Sequence, residues 1–180
     1  MKLFTKYIKP LIFIVVLVLL DQWTKILAIK HLMNKPAIVL WEGVFELRYL
    51  ENRGAAFGIF QNQKIFFIIV TILVAALLVW FYTKIPDNKR YNAMKIVVAL
   101  CMAGAIGNFI DRMINSYVVD FFYFKLIDFP IFNVADIYVT GSAVAFILLF
   151  IFLYKEEDLK FLDRKKKTSH DTHPEGESHT

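Results

Sequence analysis

The sequence predicts an all-α membrane protein: four transmembrane helices with a small extracytoplasmic β-ribbon and an interfacial loop. Three observations predict it. Four apolar stretches are long enough to cross a bilayer, most of the basic residues flank one end of those stretches, and compact polar clusters gather at the other. Of 180 residues, 58% are hydrophobic and 16% aromatic, which is far from the composition of an ordinary soluble domain of that length.

The first span covers about 9–28. Its run Leu11–Leu20, behind Lys2, Lys6 and Lys9, resembles the apolar region of a signal peptide. No small-x-small cleavage site follows it, so it reads as an uncleaved helix. The second span is about 64–83, the third about 92–112 and the fourth about 134–154. A turn signal, Pro86-Asp87-Asn88, separates the second from the third. Between the first two, Ile38–Trp41 and Val44–Leu50 alternate partly with period two around Glu42-Gly43, as a small β-ribbon lying on the membrane would. The stretch Gly54–Phe60 is small and apolar, suited to dipping into the interface, and the ribbon with Phe57-Gly58-Ile59-Phe60 is expected to act as a mobile lid. Residues 1–155 thus read as one four-span domain, followed at 156–180 by a polar, disordered tail.

Thirteen of the 21 Lys and Arg residues lie at the N-terminus, in the second-to-third turn and the adjoining start of the third span (Lys95), or in the tail. The positive-inside rule then puts both termini in the cytoplasm of a multi-pass membrane protein, with 29–63 and 113–133 outside. The net charge of +5 comes from these flanks and not from a basic stripe interleaved with aromatics, so no nucleic-acid partner is expected. The single cysteine, Cys101, reads as a small packing residue in an apolar run.

Aspartates near hydrocarbon are costly and are kept where they pair, bind or react. Asp120, in Val118-Val119-Asp120-Phe121, has no adjacent cation and no capping role to explain it. Asp136, in Asn133-Val134-Ala135-Asp136, is equally well explained as the third residue of a helix capped by Asn133. Asp21 and Lys25 stand at i,i+4 and pair on one face; an interfacial helix end with a snorkelling lysine is the plainer reading, a supporting role for a buried site the other. Asn52-Arg53-Gly54 alone reads as a turn. Gly104 and Gly107 permit close helix packing. Asn108, Asp111 and Arg112 share a face at i, i+3 and i+4, where Arg112 either completes a structural network or grips a carboxylate.

Taken together, Asp21-Gln22-Trp23-Thr24-Lys25, Asn52-Arg53-Gly54-Ala55-Ala56-Phe57-Gly58, Gly104 through Arg112, Val118-Val119-Asp120-Phe121 and Phe132-Asn133-Val134-Ala135-Asp136 resemble, in order and spacing, the motifs of bacterial lipoprotein signal peptidase (signal peptidase II). Ala103 stands where that pattern often has a glycine, and Ile137 where it often has serine. The resemblance implies a membrane aspartyl endopeptidase with Asp120 and Asp136 as its catalytic dyad. It implies that Asp21, Lys25, Asn52, Gly54, Asn108, Arg112, Asn133 and Ala135 support the site or contact substrate. The implied substrate is a diacylglyceryl prolipoprotein, cut on the amino side of the lipidated cysteine near the outer leaflet. Membrane lipid is the only other partner implied; no cofactor or metal is expected, and the protein is expected to be a monomer. A small transporter would carry its charges near the midplane, and a non-catalytic assembly factor would tolerate Asp→Asn at one of the two positions.

Overall fold

The computed structural model describes residues 2–54 and 62–162, and side chains from residue 6 onward. The element order is α1 (Lys2–Leu32), β1 (Ile38–Trp41), β2 (Phe45–Asn52), α2 (Lys64–Lys84), α3 (Asn92–Asn115), β3 (Val118–Phe124) and α4 (Val134–Phe152). All four helices are long and apolar enough to cross a membrane. The helix α3 is the centre of the bundle and touches each of the other three. Its small residues make this possible. A Cβ built on Gly104 would stand 2.5 Å from the Ala135 carbonyl oxygen, so α3 and α4 approach at a distance only glycine allows. By contrast, α2 has no buried residue at all. An all-apolar helix at the periphery is stable where its outer faces meet lipid rather than water.

The helix α1 contains Pro10, which has no N–H to give the carbonyl four residues back. That carbonyl, on Lys6, instead accepts the Tyr82 hydroxyl of α2 at 3.1 Å. One residue thus both interrupts the helix ladder and creates the acceptor that ties α1 to α2.

The expected ribbon is present as β1 and β2, but it belongs to a three-stranded antiparallel sheet in the order β1-β2-β3. The third strand is a correction to the sequence reading, which left 113–133 without regular structure. Its residues Val118–Phe121 are all buried, so no polar face marks the period of two. Val119 and Phe121 pack on Ala28 and Leu32 of α1, while Val118 and Asp120 face the opposite way. An isolated bridge, Phe122 to Phe132, ties β3 to the segment that leads into α4.

The chain is also ordered beyond its expected end at 155. Glu156–Leu159 forms a 3-10 turn whose Asp158 takes two hydrogen bonds from Arg90, both 2.7 Å. Tyr91 and Tyr154 stack beside it, and Phe161 meets both Phe81 and Tyr91. The segment 156–162 is therefore docked on the α2–α3 turn, because an arginine and a cluster of rings hold it there. Residues 163–180 lie outside the described residues, as does the expected lid at Phe57–Phe60.

Candidate active site

Where α1, α3, α4 and the sheet converge, the structure gathers the polar residues that the sequence scatters over more than a hundred positions. Asn133 is the hub. Its side chain accepts from the Asp136 N–H at 2.9 Å and its own N–H donates to Asp136 Oδ2 at 3.1 Å, which makes a capping box at the start of α4. The two donors of its amide are used elsewhere. One reaches Asp120 Oδ1 at 2.6 Å and the other Asn108 Oδ1 at 3.1 Å. Capping and site-building, two competing readings of Asn133 and Asp136, are therefore the same set of hydrogen bonds.

Asp120 is brought to Asn133 by the sheet. In the β2–β3 register, Leu50 faces Asp120 and Asn52 faces Val118, so Asn52 and Asp120 are diagonal neighbours on one face. The Asn52 amide donates to Asp120 Oδ2 at 2.8 Å, and the Asn52 oxygen accepts the Gly54 N–H at 3.0 Å. Asp120 is 1% exposed. Burial first, and then the nearby charge of Asp136, push its carboxyl from the usual 3.8 up to about 7, against the opposing pull of the Asn52 and Asn133 donors.

Asp136 receives Asn108 Nδ2 on Oδ1 at 2.8 Å. Which end of the Asn108 amide faces Asp136 is fixed from behind: its oxygen accepts the Lys25 ammonium at 3.0 Å. Lys25 spends its other two donors on Asp21 Oδ2 and Asp111 Oδ2, each at 3.0 Å. It does not reach water, as a snorkelling side chain would; its side chain is 3% exposed. The i,i+4 pair with Asp21 forms as expected, but Asp111 encloses the ammonium from α3. Asp21 also accepts the Ala135 N–H at 2.9 Å, which joins α1 to the first turn of α4.

Arg112 makes no ion pair among the described residues. It donates to the carbonyls of Asn108 and Gly54 and lies 4.5 Å from the centre of the Phe67 ring. Asn108 and Arg112 do share a face. Asp111, about 100° away from Arg112 around the helix, turns to Lys25 instead. Two residues outside the candidate set hold this network together. Gln22 Nε2 reaches Asp21, the Gly107 carbonyl and Asp111 at 3.0–3.2 Å, and Asp111 Oδ2 accepts the Val119 N–H of β3 at 3.0 Å. A glutamine beside Asp21 was the available signal; the partners, 85 and 89 positions away, are not visible in sequence.

Gly107 leaves the room for this. A Cβ there would meet Asp21 Oδ2 at 2.5 Å, and that carboxylate cannot swing aside because Lys25 and Ala135 hold it. Gly107→Ala is expected to destabilise the protein by about 2 kcal/mol. Gly141→Ala, with nothing within 4 Å of the new methyl, is expected to be neutral or slightly stabilising. Thermal midpoints of the two variants in one detergent check the contrast.

Both aspartates line one cavity of about 580 Å³, with Asn52, Gly54, Asn108 and Arg112. Its far wall is apolar: Phe129, Pro130, Ile131 and Phe132 before α4, and Ile137 on it. Asp21, Lys25, Asn133 and Ala135 lie behind this surface rather than on it.

The sequence profile of signal peptidase (SPase) II matches residues 13–153. The lipoprotein signal peptidase of Clostridium tetani is 46% identical over 158 residues, covering 86% of this chain and 97% of that one. That of Caldanaerobacter subterraneus is 43% identical over 143 residues, covering 79% and 95%. Among solved structures, a bacterial membrane enzyme superposes with a TM-score of 0.72 at 30% identity, over 90% of this chain and 94% of that one. A second bacterial membrane enzyme gives 0.68 at 32% identity, over 79% and 92%. The matched range covers most of α1, all of α2 to α4 and the sheet, and the chain belongs to the signal peptidase II family, as a multi-pass membrane peptidase.

Proposed function

We propose that the chain is an aspartic endopeptidase that removes the signal peptide from diacylglyceryl-modified prolipoproteins, with Asp120 and Asp136 as its catalytic pair. The observation that carries this reading is that two carboxyls, the buried Asp120 and the half-buried Asp136, are bridged by Asn133 and open on one cavity with an apolar wall. A lipidated cysteine fits such a cavity: the polar side meets the peptide bond and the apolar side meets the acyl chains.

Two carboxyls in a low-dielectric site share a proton. Asp120, held near 7, keeps it. Asp136 faces the N–H of Asn133 and the positive end of α4, which suit it to be the anionic base. In the first step Asp136 takes a proton from water, the water oxygen bonds to the scissile carbonyl carbon, and Asp120 gives its proton to the carbonyl oxygen. The tetrahedral diol then collapses: the C–N bond breaks, the nitrogen leaves with the proton held by Asp136, and the diol proton returns to Asp120. The pair ends as it began. The Arg112 guanidinium and the Asn52 amide, both on the cavity surface, are placed to hold backbone carbonyls of the substrate.

In this reading both termini are cytoplasmic, the pair lies near the outer leaflet of the inner membrane, and the protein works as a monomer. The test is cleavage of a diacylglyceryl lipobox peptide beside its unlipidated twin. The lipidated peptide is expected to be cut with kcat/KM higher by about 10² or more, from burial of the acyl chains. Equal rates on the two would refute the substrate assignment.

A further inference from the structure

A second cavity, of about 630 Å³, lies at the other end of the bundle, between α1, the end of α2 and the start of α3. It is remote from the aspartates: Lys9 is twelve residues before Asp21 along α1, about 18 Å. Its mouth carries Lys6, Lys9 and Lys95 with Asp87 and Asn92, and its inner wall is Phe13, Ile96 and Ala99. Asp87 holds Lys95 at 2.6 Å. Lys6 and Lys9 make no ion pair with any described residue; the Lys6 ammonium lies 5.4 Å from the Tyr7 ring centre. The floor is fixed by the Tyr82 hydroxyl, bonded to the Lys6 carbonyl that Pro10 leaves free.

We infer that this cavity binds the phosphate headgroup of an anionic phospholipid through Lys6 and Lys9, with an acyl chain along Phe13 and Ile96. Charge complementarity selects the occupant. Three ammonium groups against one carboxylate attract an anion, and the apolar wall directly beneath them requires that the anion carry a hydrocarbon chain. Ile96 is 55% exposed, on a helix that otherwise buries its middle. A soluble phosphate would leave that wall unused. Basic pockets between transmembrane helices recognise lipid headgroups by this pairing of charge and depth. The inference does not depend on the reaction at the other end.

The test is native mass spectrometry of the full-length protein released from detergent, titrated with dioleoyl phosphatidylglycerol or with dioleoyl phosphatidylcholine. The wild type is expected to retain one phosphatidylglycerol in preference to phosphatidylcholine. Lys6→Gln with Lys9→Gln is expected to weaken that retention about thirtyfold. Ile96→Trp, which keeps every lysine and fills the apolar part, is expected to weaken it as well, and it decides the matter if the double variant does not insert. Lys89→Gln with Lys160→Gln removes the same charge from exposed positions outside the cavity and is expected to change nothing. Equal retention of the two lipids overturns the site. So does an equal loss in the Lys89/Lys160 variant, or undiminished retention in Ile96→Trp.

Discussion

Asp120→Asn and Asp136→Asn are each expected to lower kcat on a diacylglyceryl lipobox peptide by about 10³-fold or more, with little change in KM. Either variant removes one of the two proposed proton carriers while leaving the cavity's shape. An assembly factor without catalysis would show no such loss, and a kcat within about a tenth of wild type would sink the pair. The pH dependence carries the same signature. Asp120 is held up at about 7 by burial and by Asp136, so the wild-type rate is expected to fall as pH rises through that value and the shared proton is lost. Stability follows the same sign. A carboxyl raised in the folded state stabilises fully below its unfolded value of 3.8, and that contribution is lost as pH rises through about 7. The thermal midpoint of the wild type is therefore expected to drop over that window, and Asp120→Asn to flatten the drop.

Lys25→Met is expected to cost about 3–5 kcal/mol of stability and most of the activity, although Lys25 does not line the cavity. The ammonium fills a space between Asp21 and Asp111, and its removal leaves two buried carboxylates facing each other with no cation. It also releases the Asn108 oxygen, and with it the orientation of the amide that serves Asp136. These two effects separate by design. Adding Asp21→Asn and Asp111→Asn to Lys25→Met removes the uncompensated charge, so the thermal midpoint is expected to recover in part while cleavage does not. A triple variant that regains both would mean that Lys25 acts on stability alone. A Lys25→Met protein as stable as wild type would mean the carboxylates are not buried as described.

The sequence carries the helices, and the reason is the solvent: a bilayer demands long apolar runs, and these are visible without any partner. The ribbon was visible too, because β1 and β2 are bounded by turn residues. The strand β3 was not, since both its faces are covered and the alternation is lost. At the site, sequence marks Asp120 because nothing local explains it, and half-conceals Asp136 behind its cap. For Lys25 the sequence leaves a snorkelling end and a site-supporting role both open, because its second carboxylate arrives from Asp111, on a helix 86 residues away. Asp111 is hidden for the matching reason: Arg112 beside it is the obvious partner by sequence, and the helix turns the two apart. The docked segment 156–162 looks like tail because Arg90, which holds it, is far away in the chain.

Asn133 caps α4 and bridges Asp120 to Asp136 with one side chain. Order of synthesis gives this economy a consequence. The residue follows α1, α3 and β3 in the chain, so the parts of the site those elements supply are made before it. A growing chain that lacks α4 has Asp120 without its bridge and has no Asp136 at all. With Asp120 and Asp136 as the proposed pair, the protein is expected to be inert throughout its own insertion and to gain cutting power in one step, when the last helix seats. On that reading the nascent peptidase stays silent among the unfinished proteins around it.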